Sequence, residues 1–263
     1  MNWGAGMLGR KIRSAIEAEQ FHPGVLGMFV NPFYFARKGL HRGIARFAGR
    51  IRGATLDVGC GRKPYEGLFH VTRYVGLEID TPANRSSKKA DRFYDGKVFP
   101  FGDGEFDSAV VNEVFEHVFN PDEFLRELNR VLKPGGLLLM TVPFAWDEHD
   151  IPHDYARYSS FGLAATLGRH GFSVLEQVKS MGDIRAVVQM LTNYIYVKTA
   201  TGNGYFDLLA CLLLIAPFNV LGEVLALVLP RNDRFYLDNI VLARKDGPGA
   251  FAAGSDAGGG KTP

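Results

Sequence analysis

Four short apolar runs recur between residues 54 and 143: ATLDVG (54–59), RYVGLEI (73–79), FDSAVVN (106–112) and GLLLMTVP (136–143). Near-continuous apolar runs of this length suit parallel strands covered on both faces. Between the third and fourth lies PDEFLRELNRVLKPGG, where Phe124, Leu125, Leu128, Val131 and Leu132 form one stripe at helical spacing. Pro121 fits the first turn, Asp122 and Glu123 complement the positive end of the helix dipole, and Lys133 the negative end. Pro134-Gly135-Gly136 then stops the helix. Strand, helix and strand in this order require a right-handed crossover.

Further runs flank this block. Leu40, Ile44, Phe47 and Ile51 fall at three-to-four spacing among arginines, which predicts an amphipathic helix over 40–52. Strands are expected at FSVLEQVKSM (172–181) and FYLDNIVLARK (235–245), separated by a connection far longer than usual. Inside it, LLACLLLIAPFNVLG (208–222) carries no charge but falls short of the ~20 residues that cross a bilayer, with Pro217 and Glu223 interrupting it. A buried helical hairpin, a wedge in a membrane surface and a true span all remain open for it. The expected organisation is a basic helical segment over 1–53, a main domain over 54–246 with an apolar helical insert at about 182–234, and a Gly-rich tail over 247–263 expected to be disordered.

Composition narrows this little. A chain of 263 residues can bury a full core, and 46% hydrophobic with 22% charged residues is ordinary for a soluble globular protein. The net charge of +2 implies no particular partner, but residues 1–53 hold nine basic residues against Glu17 and Glu19, a local +7. Such an end suits a nucleic-acid arm, an anionic membrane surface or a plain solvated face. Cys60 and Cys211 are too few for a disulfide framework and lack metal-site spacing. The N-terminal stretch lacks the charged-then-apolar order of a secretory signal, so a cytoplasmic location is expected, with peripheral contact to the inner face of the membrane as a further option.

The first strand ends in TLDVGCGRKPYEG (55–67). Gly59 and Gly61 meet the first two positions of a dinucleotide fingerprint, but Pro64 stands where the third glycine belongs, and no Gly-Lys-Ser/Thr follows for a phosphate loop. Glu78, near the end of the second strand, is placed to accept both hydroxyls of a ribose. Asp95 precedes an apolar turn, where a carboxylate could accept an adenine amino group. Two glycines, a ribose acid and an adenine acid describe a nucleoside without a diphosphate.

LDVGCG, VGLEID, DGKVFPFGDGEFDSAVVNEVFEHV and NPDEFLRELNRVLKPGGLLLMTVP, in this order, resemble class I S-adenosylmethionine-dependent methyltransferases, in the bacterial branch that includes the ubiquinone-biosynthesis C-methyltransferases. The resemblance covers about residues 50–180. It implies an α/β fold: a Rossmann-like, doubly wound, mostly parallel sheet with an antiparallel last strand and helices on both faces. It implies S-adenosylmethionine as cofactor, with Asp57, Gly59, Cys60 and Gly61 around its methionine part. Glu78 would take the ribose hydroxyls, with Asp80 the second choice. Asp95 and the Gly96 amide would flank the adenine, and Asn112 and Glu113 would close over the methionyl end. His117 is read as a packing residue. Arg62-Lys63-Pro64 departs from the relatives that carry a third glycine here.

In this family acceptor loops follow the fifth strand, here FAWDEHDIPHDYARYS (144–159), and PHDYARYS resembles a stretch in members linked to surface-glycan genes. His153, Asp154 and Tyr155 are the candidate catalytic residues, with His153 the general base should a hydroxyl be methylated. His149 and Arg157 crowd beside them. A metal set from His149, Asp150, His153 and Asp154 is set aside, because such spacing arises easily by chance in loops, and no metal is expected. Asn31-Pro32-Phe33-Tyr34 approaches the signature of enzymes that methylate amino groups of bases, but the fourth strand already ends in NEVFEH, so no permuted strand is needed. The expected function is methyl transfer to a small-molecule or glycan/lipid-linked acceptor, with membrane contact through 1–53 and 205–230. A nucleic-acid methyltransferase and a non-catalytic scaffold are the alternatives.

Overall fold

A computed structural model describes residues 16–87 and 89–247. Its frame is one seven-stranded sheet in the order β3-β2-β1-β4-β5-β7-β6. The strands are β1 (Ala54–Val58), β2 (Arg73–Ile79), β3 (Arg92–Tyr94), β4 (Phe106–Asn112), β5 (Leu132–Pro143), β6 (Phe172–Lys179) and β7 (Asp238–Lys245). β1 lies between β2 and β4, parallel to both, with Leu56 opposite Val75 on one side and Ala109 on the other. β3 and β5 extend the parallel part outward, and the antiparallel strands come at the far end. The helices are α1 (Gly27–Val30), α2 (Tyr34–Ala48), α3 (Pro82–Ser87), α4 (Pro121–Val131), α5 (Ser160–Arg169), α6 (Ile184–Thr199) and α7 (Gly204–Val228).

The chain divides into two compact units. One takes the segments up to Arg46, Pro143–Asp147 and Lys179–Asn239; the other takes Phe47–Val142, Glu148–Val178 and the segment from Ile240 onward. The larger holds the main core, in which Leu56, Val58, Leu77, Val111, Leu138 and Met140 are fully buried. The stripe read on α4 packs against them through Phe124, Leu125, Leu128 and Val131.

In the smaller unit, Tyr34, Phe35 and Ala36 of α2 pack with Ala186 and Val188 of α6. Gln189, fully buried on α6, ties the two helices together. Its Oε1 accepts from the Phe35 and Ala36 amides, two donors that α2 cannot satisfy internally at its start, and its Nε2 donates to the Pro32 carbonyl. Asn31 Oδ1 accepts from the Phe33 amide. The Asn-Pro-Phe-Tyr stretch is therefore built into a helix entry. Glu223, with no apolar role on its helix, pairs with Lys38 and Arg185.

Three elements differ from the pattern-based reading. α2 begins six residues earlier than the expected helix, because its first turn is apolar and capped by Gln189 rather than marked by the arginine periodicity. β3 has three residues and leaves no periodic signal. Pro217 does not end its helix. A π turn at Cys211–Ile215 immediately precedes it, and such widened turns absorb the hydrogen bond a proline cannot donate. α7 is in consequence long and apolar enough to cross a membrane, by length and composition only.

Leu128→Ala removes a fully buried side chain from the α4 stripe. It is expected to cost about 2–5 kcal/mol, read as a lower urea midpoint at unchanged slope.

Candidate functional site

Asp57 is the last but one residue of β1 and is buried like the strand's end, and its Oδ2 accepts from the Tyr74 hydroxyl on β2 at 2.8 Å. Burial pushes its carboxyl up to about 7, only partly offset by that bond and by Lys63. The chain then turns through Gly59 (φ +69°) and Gly61 (φ +53°), a region that costs a side chain dearly. A Cβ at Gly59 would also overlap the Val114 side chain. The Gly59 and Cys60 amides donate to the Leu77 carbonyl, and the Gly61 amide donates to Glu78 Oε2 at 3.1 Å. The loop thus carries its own backbone back onto the end of β2. Cys60 packs its sulfur beside Gly76, and burial pushes its thiol up to about 12, so it contributes backbone and bulk rather than a nucleophile.

Lys63 explains part of the Arg-Lys-Pro departure. It too has a positive φ, +55°, and its Nζ pairs with Asp91, whose Oδ2 accepts from the Gly76 amide. The lysine braces the loop against the β2–β3 connection. The exposed Asp80 is held by Arg85 in a two-pronged pair at 2.6 and 2.7 Å, while the buried Glu78 beside it faces the glycine loop. Asp95 Oδ1 accepts from the Lys97 and Val98 amides and shapes its own turn, and these bonds hold its carboxyl below the usual range. Gly96 next to it has φ +85° and open space where a side chain would be. At the end of β4, Asn112 carries a buried Oδ1 with no hydrogen-bond partner, and Glu113 (φ +50°) donates its amide to Thr141. Asp57, the two glycines, Glu78, Asp80, Asp95 and Asn112 stand at or just past the carboxyl ends of β1 to β4, where open α/β sheets bind ligands.

The segment 148–159 forms a second cluster. Asp154 accepts from both arms of Arg157 at 2.6 and 2.7 Å and from the His149 amide, and Arg157 above all holds its carboxyl far below the usual range. It orders the loop. The exposed His153 places Nδ1 3.0 Å from the Tyr155 hydroxyl. His117 sits on a single 3-10 turn, Phe115–His117, and its Nδ1 donates to the His153 carbonyl at 2.7 Å. The pattern-based reading passed over Tyr74, Asp91 and Glu116. Tyr74 and Asp91 carry no motif; Glu116 was visible only as the acid beside His117 in NEVFEH.

The sheet order, the glycine loop and the strand-end carboxylates make a Rossmann-like fold of the kind found in class I S-adenosylmethionine-dependent methyltransferases. Residues 56–140 match the family described as Methyltransferase domain. An uncharacterized methyltransferase of Mycolicibacterium gilvum is 32% identical over 117 residues, covering 39% of this chain and 46% of that protein. The ubiquinone biosynthesis O-methyltransferase of Caulobacter vibrioides is 36% identical over 99 residues, covering 33% of this chain and 39% of that protein. The chain thus spans about half the length, or less, of these curated relatives. The crystal structure of the cyclase SpnF shares the fold at a TM-score of 0.50 and 19% identity, over 83% of this chain and 84% of that one. S-adenosylmethionine is the cofactor of the methyltransferases whose domain this chain resembles. The residues present fit it: a cationic ligand suits the buried acids, and Asn112 Oδ1 awaits a donor.

Because folding raises the Asp57 carboxyl from 3.8 to about 7, the folded chain holds more protons than the unfolded one between those values. This contribution to stability is full below about 4 and lost as pH rises through about 7. Asp57→Asn is expected to flatten the fall of melting temperature with pH across that window. The same substitution should weaken cofactor binding about 10–100-fold by removing a charged acceptor. Calorimetry at pH 8 checks this.

Proposed function

We propose that the protein transfers the methyl group of S-adenosylmethionine to a small-molecule or glycan/lipid-linked acceptor presented at a membrane surface, the cytoplasmic face of the inner membrane. The observation that carries the membrane part is the exposed apolar surface of the smaller unit. Only 28% of the most apolar stretch of α7 is buried. Phe206, Leu213, Leu227 and Val228 stand exposed along it, joined by Tyr194 and Val197 on α6. An apolar surface of this extent marks an interaction site on a soluble domain. Arg42 and Arg46, exposed on α2 of the same unit, add the basic character that favours anionic lipid.

The cofactor supplies an activated methyl on a sulfonium, so the protein's task is alignment. Asp57, Gly59, Gly61 and Asn112 would hold its methionine part and Glu78 its ribose, with the Gly96 amide beside the adenine. His153, supported by Tyr155, would take the proton of a hydroxyl acceptor. Asp154 would act through Arg157 and His149, keeping the loop in place.

Vesicle sedimentation with the full chain tests the membrane reading. Leu213→Asp with Leu227→Asp, both at exposed positions, should abolish binding to vesicles containing anionic lipid while the melting temperature holds; unchanged binding sinks it. Labelled S-adenosylmethionine incubated with lipid and glycan extracts should give a labelled product by mass spectrometry. Tight cofactor binding without any labelled product would instead favour a non-catalytic role.

A further inference from the structure

Glu116, His117 and His149 bring one ligand atom each to within 4.8 Å of one another. Glu116 is fully buried, and a carboxylate out of water needs a positive charge to offset its lost hydration. Its Oε1 lies 3.7 Å from His117 Nε2. Hydrogen-bond partners orient both imidazoles. His117 Nδ1 faces the His153 carbonyl, which can only accept, so Nδ1 carries the proton and the neutral ring turns the lone pair of Nε2 towards Glu116. His149 Nδ1 lies 3.2 Å from Asp154 Oδ2, and Arg157 holds that carboxylate, so the ring is oriented by a fixed acceptor. A backbone carbonyl behind one imidazole and a carboxylate behind the other are the supports that metal-bound histidines use. Asp150 Oδ2 stands 4.0 Å from His117 Nε2 at the exposed side of the group.

We propose that Glu116, His117 and His149 form a binding site for a divalent transition-metal ion of the zinc type. Two neutral imidazoles and one carboxylate suit such an ion, and three protein ligands leave coordination positions open for water or an acceptor oxygen. The ligand atoms must draw together by roughly 1–1.5 Å to reach bonding distances of about 2.0–2.2 Å. Glu116 is anchored in the core, so the movement falls to the 148–159 segment. The ion would neutralise the buried carboxylate and fasten this segment to the turn after β4.

The full chain, stripped with chelator and titrated with Co2+, is expected to take up one equivalent with visible d–d absorption, displaced by Zn2+. His149→Ala, on the surface loop, and the double variant His117→Ala/His149→Ala should lose that signal. Asp154→Asn should weaken uptake about 10–100-fold, as expected for removing a support behind a ligand. His170→Ala, paired with Asp122 elsewhere, should leave uptake unchanged. S-adenosylmethionine calorimetry on each variant reports folding separately, so a failed cofactor domain and a failed metal site give different results. Uptake no greater than in the double variant overturns the proposal and leaves a plain Glu116–His117 ion pair.

Discussion

The turn after β1 is the constraint on which the rest of the domain depends. Gly59 must take a left-handed conformation and must lack a side chain, since Val114, just past the end of β4, occupies that space. With both conditions met, the Gly59 and Cys60 amides reach the Leu77 carbonyl on β2. One short loop therefore fixes the ends of three adjacent parallel strands. Because the strand ends are fixed, Asp57, Glu78 and Asn112 come to the same edge of the sheet. A bulkier residue at position 59 would disturb the packing and the ligand edge together.

That edge is electrostatically costly. Asp57 is buried with a neutral tyrosine hydroxyl as its nearest partner, and its proton affinity rises accordingly. Its neighbour Glu78 is buried too, with loop and strand amides as partners. The exposed Asp80 behaves otherwise than Asp57: it is paired with Arg85, and its carboxyl is held low. A buried acid with raised proton affinity at the ligand edge of an open sheet marks a candidate functional site.

Much of this was legible in the sequence. The near-continuous apolar runs located β1, β2, β4 and β5 because buried parallel strands leave little room for polar alternation. The α4 stripe was legible because helix packing repeats every three to four residues. Glu78 could be read from its distance to the glycines. What escaped depended on tertiary neighbours. The Asn31–Tyr34 stretch acquires its meaning from Gln189, more than 150 residues away. Lys63 acquires its role from Asp91, and Tyr74 from Asp57. No local period announces such pairings. The start of α2 and the three residues of β3 were missed for the same reason.

The π turn in α7 has a geometric consequence of its own. One extra residue in a helical turn advances every later side chain by about 100° around the axis. Cys211 and Ile215 face inward before that step, and Ala216, Asn219 and Gly222 after it. The inward line is thus carried across a phase slip that an uninterrupted helix of the same sequence would not make. Without it, the second half of α7 would turn Gly222 away from Phe35, whose ring fits only against a residue lacking a side chain. The slip sets which flank of the helix is left bare.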